Sequence, residues 1–214
     1  MSLQITVRGS AQASYPPERA TVRLRVQARG GDRREVRDDV AATFEPLTDQ
    51  LRELASRGAV TSWSGDQVGV YTHSPVEDGR RAERPVHVAR VEVVVEFVDF
   101  ERMSGFLDFW LSRDAVEVGG IEWDVLDRHR RAHEADIRKA AVEDAVTKAQ
   151  AYADAVRRGR VSAVELADPG MLEGRSDAGV PITYRAVAHQ GDGLALEPAP
   201  IVIAVEIDGR FTAS

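Results

Sequence analysis

Polar and apolar residues alternate through the first thirty positions in two runs. Leu3, Ile5, Val7, Gly9, Ala11 and Ala13 share one face, and Gln4, Thr6, Arg8, Ser10, Gln12 and Ser14 the other. After Tyr15-Pro16-Pro17-Glu18 the pattern restarts, with Ala20, Val22, Leu24, Val26 and Ala28 set against Thr21, Arg23, Arg25, Gln27 and Arg29. A period of two marks a half-buried strand, and two such runs split by a proline-containing turn predict an antiparallel pair.

The period then changes to that of a helix. Asp32 is placed to cap it, with Glu35 three residues on in a capping-box arrangement. Val36, Val40, Phe44, Leu47, Leu51 and Leu54 form one apolar stripe, so a helix is expected from about Arg33 to Arg57, stopped by Gly58. Pro46 lacks the N–H for the carbonyl of Ala42, which predicts a kink or two shorter helices end to end.

Val60 to Tyr71 reads as a strand with an irregular centre at Gly65-Asp66, and Pro75 to Pro85 as a charged turn or loop. In the β-rich run Val86 to Val98, Val91, Val93, Val95 and Phe97 form one face. Asp99 caps a second helix carrying Met103, Phe106, Leu107 and Trp110. Val116 to Leu126 is a strand with a bulge expected at Gly119-Gly120.

The longest helix is expected from about His129 to Arg158. Ala135, Val142, Ala149 and Val156 recur every seven residues along it, with Ala132, Ala145, Val146, Tyr152 and Ala153 beside them. At 1.5 Å per residue it is roughly 45 Å long. The first strand is roughly 40 Å, so this helix is expected to lie along the N-terminal pair. Val161 to Leu166 is a short strand. Met171 to Pro200 is rich in Gly, Pro and Asp, with Ile182, Tyr184 and Ala186 as a candidate strand, and reads as a mobile or contact arm. Ile201, Ile203, Val205 and Ile207 close the chain as a final strand.

These segments, in this order, resemble the SIMPL-domain family of bacterial proteins of unknown function, from about Ile5 to Phe211. The carriers are Ile5-Thr6-Val7-Arg8-Gly9-Ser10, Pro17-Glu18-Arg19-Ala20-Thr21-Val22 and Val98-Asp99-Phe100. Val118-Gly119-Gly120-Ile121-Glu122-Trp123, Ala141-Val142-Glu143-Asp144-Ala145 and Lys148-Ala149-Gln150-Ala151-Tyr152-Ala153 complete them.

The resemblance implies an α+β fold of two layered antiparallel-sheet and helix units. One is formed by residues 1–31 with 128–214. The other, residues 32–127, is inserted between the N-terminal hairpin and the long helix. It also implies protein interaction, self-assembly in some members, and envelope or oxidative-stress physiology. It carries over no catalytic residue. The chain departs from the family at Pro17-Glu18, where Pro-Asp is frequent, at Pro198-Ala199-Pro200, where Pro-Gly is frequent, and at His87, near a position often aromatic.

Composition narrows the chemistry. The 214 residues are 43% hydrophobic with a net charge of -7, which gives no pull toward nucleic acid or an anionic membrane. There is no cysteine, so disulfides, thiolate metal sites and cysteine nucleophiles are excluded. Neither a membrane-length apolar run nor a leader pattern stands in the sequence. A cytoplasmic protein is expected, or a periplasmic or envelope one if a leader has been removed.

His129 and His133, four apart and near Asp124 and Asp127, are the best metal candidates, but two histidines among Arg128, Arg130 and Arg131 do not complete a zinc site. Ser62-Trp63-Ser64-Gly65 fails the nucleophile-elbow spacing. Gly30-Gly31-Asp32 precedes a helix, yet the Asp32 carboxylate competes with any anion there. The arginine clusters at 33, 34 and 37, at 80, 81 and 84, at 128, 130 and 131, and at 157, 158 and 160 are mixed with acids and read as solvated faces or ion pairs. Trp63, Trp110 and Trp123 read as core packing.

No catalytic, cofactor or metal residue is therefore assigned. The sequence is read as a non-enzymatic, self-associating SIMPL-type interaction protein, a homo-oligomer. The alternative is a small-ligand-binding protein using a cleft between the two units.

Overall fold

The computed structural model describes residues 2–73, 76–77, 80–81, 85–172 and 198–214. Among the described residues, three helices and two main antiparallel sheets make an α+β fold. The described residues fall into two compact units, one running to Pro17 and resuming at Val125, the other spanning Glu18–Asp124.

The first unit holds strand β1 (Leu3–Tyr15), and the second opens with β2 (Arg19–Gly30). The expected pairing of these two strands is not found. β1 pairs along its whole length with the C-terminal strand, from Leu3↔Ala213 to Tyr15↔Ile201. β2 belongs to the other sheet, and so does not join β1 in an outer unit. Alternation fixes which side chains share a face but not which strand lies alongside. Pro16 and Pro17 offer no N–H to close a tight hairpin turn between the runs.

In the second unit, helix α1 (Arg33–Ser56) is one continuous helix with Pro46 inside it. It ends as expected at Gly58, whose φ is +73°. Gly58 N–H donates to the Ala55 carbonyl and Ala59 N–H to that of Leu54, a Schellman cap. The irregular strand expected after it is two strands, β3 (Val60–Gly65) and β4 (Gly69–His73), broken at residues 66–68. A two-residue ribbon, β5 (Val76–Glu77) with β6 (Arg80–Arg81), falls inside the expected loop. Both β3 and β4 pair with β7 (Val86–Phe97), which in turn pairs with β2.

Asp99 caps helix α2 (Phe100–Leu111) by accepting from Arg102 N–H, as expected. Strand β8 (Val116–Asp124) forms the far edge, in the order β3-β7-β2-β8. Its register against β2 jumps from Arg23↔Gly120 to Leu24↔Val118, which leaves Gly119 as the extra residue of the expected bulge. Val22, Leu24, Val26, Val91, Val93, Val95 and Phe97 form the inner face of this sheet. These sheet side chains are buried, and the apolar stripes of both helices pack on them, with Phe44 and Leu54 half-buried at the margin.

The first unit continues with α3 (Asp127–Ala155), β9 (Val161–Ala167) and β10 (Ile201–Ala213), in the sheet order β1-β10-β9. The long helix lies on β1 and β10, not on a β1–β2 pair. Its buried row is Ile137, Ala141, Ala145, Ala149 and Ala153, a spacing of four rather than the expected seven. Of the expected heptad only Ala149 is in this row, and Val156 is exposed. A row of fourth residues is inclined by about 26° to a helix axis. Alanine after alanine in such a row lets the backbone follow a twisted sheet closely. The expected arm, with its candidate strand at Ile182, Tyr184 and Ala186, lies mostly outside the described residues.

Candidate functional site

Helix α3 is seated on β1 at Gly9. A Cβ there would lie 2.0 Å from the Ala141 carbonyl oxygen and 2.8 Å from both the Ala145 nitrogen and Cβ. On either side of this contact, two side chains of α3 reach the backbone of β1. Asp144 Oδ2 accepts from Ser10 N–H at 2.8 Å, and Lys148 Nζ donates to the Arg8 carbonyl at 3.1 Å. Lys148 also pairs with Asp144 at 2.6 Å. Lys148 and the Ser10 amide hold the Asp144 carboxyl below the usual carboxylate range. Ser10 and Arg8 are alternate residues, so their polar groups point to the same edge, the one β1 does not share with β10. The middle of that edge is therefore occupied by side chains of the protein itself.

The outer face of the same sheet carries a charge ladder. Arg8 makes a two-pronged contact with Asp208, Nε to Oδ1 at 2.7 Å and an Nη to Oδ2 at 3.2 Å, and also reaches Glu206. Arg210 pairs with Glu165 across to β9 at 2.8 Å. The segment leaving β9 is tied to this ladder, because Gly170 N–H donates to Asp208 and Arg210 donates to the Leu172 carbonyl. Arg8 above all, then Gly170, keep the Asp208 carboxyl low, and Asp208 in turn raises the Arg8 guanidinium.

The five-stranded sheet shows the same design. Arg19, Arg23 and Arg25 on β2 pair with Glu96 and Asp124, with Glu122, and with Glu92 and Glu117 on the two flanking strands. Cross-strand pairs of this kind, largely solvated, hold register more than they add stability.

β9 is different. It is an edge strand on which residues 162–166 are all exposed, Val164 by 58% and Leu166 by 48%. Gln150 accepts from Val161 N–H at its start, and no other side chain of the described residues hydrogen-bonds to its backbone. Arg210 pairs with Glu165 and Phe211 with Ala163, so Val164 is the extra residue of a bulge.

The residues weighed for chemistry are dispersed. His133 stacks on Tyr15 with ring centroids 3.6 Å apart, 6.4 Å from the His129 ring, and His129 accepts from Arg128. Among the described residues no three His, Asp or Glu side chains gather to hold a metal. Ser62, Trp63 and Ser64 lie along β3, and Gly65 abuts the Phe44 ring. Asp32 caps α1 by accepting from Glu35 and Arg34 N–H, which hold its carboxyl low. His87 bonds Thr72 through Nδ1 at 2.8 Å. Arg37 pairs with Asp38, and Arg84 lies outside the described residues. Trp110 is buried and donates to Gln50, Trp123 packs edge-on to Phe100, and Trp63 lies under Arg52. No helix among the described residues is long and apolar enough to cross a membrane.

Asp144, Lys148 and Asp208 are not legible as functional residues in the sequence, where each is an ordinary surface charge. Lys148 being one of only two lysines was the one available signal. A family model described as SIMPL, protein of unknown function (DUF541), matches residues 5–211. No curated protein matches the chain.

Proposed function

Because the chain belongs to the SIMPL family, whose description assigns no activity, we propose that it is a non-enzymatic interaction protein that associates with copies of itself. Stress-related physiology is the setting proposed for that association. The observation that carries this reading is the open edge of β9, with Val164 and Leu166 exposed beside it. Unpaired strand edges with apolar side chains are templates for another chain. Small-ligand binding is the rival reading.

Light scattering on a size-exclusion column, across a range of concentrations, tests the proposal. A defined multimer that dissociates only on strong dilution is expected. A monomer at every concentration overturns self-association. A rise in melting temperature with one metabolite or lipid in a thermal-shift screen would then favour the rival.

A further inference from the structure

We propose that the C-terminal end of α3 is a contact surface for an anionic lipid bilayer. This goes beyond self-association and does not depend on it. Three observations carry it.

The first is charge. From Ala145 to Arg160 the chain has four basic residues, Lys148, Arg157, Arg158 and Arg160, against one acid, Asp154, although the whole carries a net charge of -7. Lys148 is held by Asp144. The three arginines are exposed, and none of their side chains has an ion pair or hydrogen bond among the described residues. The sheet arginines differ, since Arg8, Arg19, Arg23, Arg25 and Arg210 all pair with acids.

The second is apolar exposure beside these cations. Tyr152 and Val156 continue the row of fourth residues that holds Asp144 and Lys148, and they are 62% and 57% exposed. Asp154, two residues from each, lies on the opposite flank of the helix. It accepts there from Gln150, which also bonds Val161 N–H of β9.

The third is shape. Residues 154–160 are all exposed, so the helix end protrudes. Its backbone is nonetheless fixed. Arg157 and Arg158 N–H close the helix on Asp154 and Ala153, Gly159 N–H donates to the Ser214 carbonyl, and Gln150 donates to the Gly159 carbonyl at 3.3 Å. Arg157 stands at φ +58°, a conformation that glycine adopts with less strain, so a cation occupies a position where the backbone favours none.

A rigid, protruding end that is both cationic and apolar fits a flat surface. Arginines reach lipid phosphates, tyrosine sits at headgroup level and valine enters the acyl boundary. A single-stranded nucleic acid stacks on successive aromatics, and one tyrosine beside Val156 makes no such platform. Acids elsewhere in the chain oppose the contact weakly once they lie beyond a Debye length, about 8 Å at physiological salt.

The test is flotation of the full chain with phosphatidylcholine vesicles, with and without phosphatidylserine. Binding to the phosphatidylserine vesicles alone is expected, and it should fall as salt is raised. Each arginine near such a surface is worth about fivefold in partitioning, so R157G/R158S/R160S should lose roughly a hundredfold. All three side chains are exposed and glycine suits the Arg157 backbone, and far-UV circular dichroism verifies the fold. The chain has no cysteine, so Val156→Cys, and Asp108→Cys on the exposed side of α2 as control, each accept one environment-sensitive dye. A blue shift at 156 and none at 108 is expected with the anionic vesicles. Absence of flotation at low salt overturns the proposal. Equal flotation with neutral vesicles, binding that the triple variant retains, or a shift at 108 and not at 156 overturns it as well. Retention of a single-stranded oligonucleotide that the triple variant loses, without vesicle binding, overturns the bilayer and assigns the arginines to nucleic acid.

Discussion

Gly9→Ala adds one methyl group at the most constrained point of the first unit. Its Cβ would stand 2.0 Å from the Ala141 oxygen and 2.8 Å from two atoms of Ala145. Carbon needs about 3.5 Å from such neighbours, so β1 and α3 must separate by roughly 1.5 Å at this point. No rotamer change relieves the overlap, because two of the three atoms are backbone. Separation loosens the alanine row that rests on the sheet, and a gap of 0.5–1 Å already forfeits about a quarter to a half of a packing contact. It also pulls Asp144 from Ser10 N–H and Lys148 from the Arg8 carbonyl. Overpacking typically costs about 1–3 kcal/mol. With an unyielding backbone and two attached hydrogen bonds, about 3 kcal/mol or more is expected. Urea unfolding followed by far-UV circular dichroism reads this as a lower midpoint for the transition that melts α3. Gly31→Ala is the control, since no atom lies within 4 Å of its would-be Cβ and its φ is not left-handed. A Gly9→Ala midpoint indistinguishable from that control refutes the close seating of α3 on β1.

Other expectations follow from single positions. Gly105 lies exposed inside α2 with open space where a Cβ would go; Gly105→Ala should stabilise the second unit by about 0.5–1 kcal/mol, read as a higher midpoint by tryptophan fluorescence. That probe is selective because Trp63, Trp110 and Trp123 all lie in this unit. Arg157 follows α3 with φ +58°, and its N–H and that of Arg158 close a Schellman cap on Asp154 and Ala153; Arg157→Gly should stabilise the first unit by roughly 0.5–1 kcal/mol, and a loss of stability would refute the left-handed cap. Arg8 and Gly170 favour the charged form of Asp208 in the folded chain. Its contribution to stability is therefore full above the ordinary aspartate pKa of about 3.9 and is lost as pH falls through the lower folded value. In Asp208→Asn that contribution should be missing at neutral pH and the decline in stability below about pH 4 shallower. An unchanged acid titration of stability would count against the ladder.

Much of the fold is legible in the sequence, and the boundary of that legibility has a physical cause. Signals carried within a few residues translate directly. The α1 stripe with its Asp32 start and Gly58 stop, the Asp99 cap, the Gly119-Gly120 bulge and the buried Val91–Phe97 face all stand where the pattern placed them. Partnership between distant segments does not translate in the same way. The alternation of β1 is equally satisfied by β2 or β10 as neighbour, and two prolines at the only short connection were not enough to tell them apart. On α3, alanines surround the helix, so composition does not distinguish the seven-residue row from the four-residue row that the sheet selects.

By itself, then, the sequence determined the elements, their inward faces, most of their ends and the family, because these rest on local periodicity, capping and turn chemistry. Only the tertiary structure decided that β1 closes against the last strand, that Gly9 is the seat of α3, and which sheet edge is covered. Edge exposure belongs to no residue type. Asp144 and Lys148 cover β1 because a helix 134 residues downstream of Ser10 lies across that strand. β9 stays open because no element of the described chain lies beyond it in the sheet order.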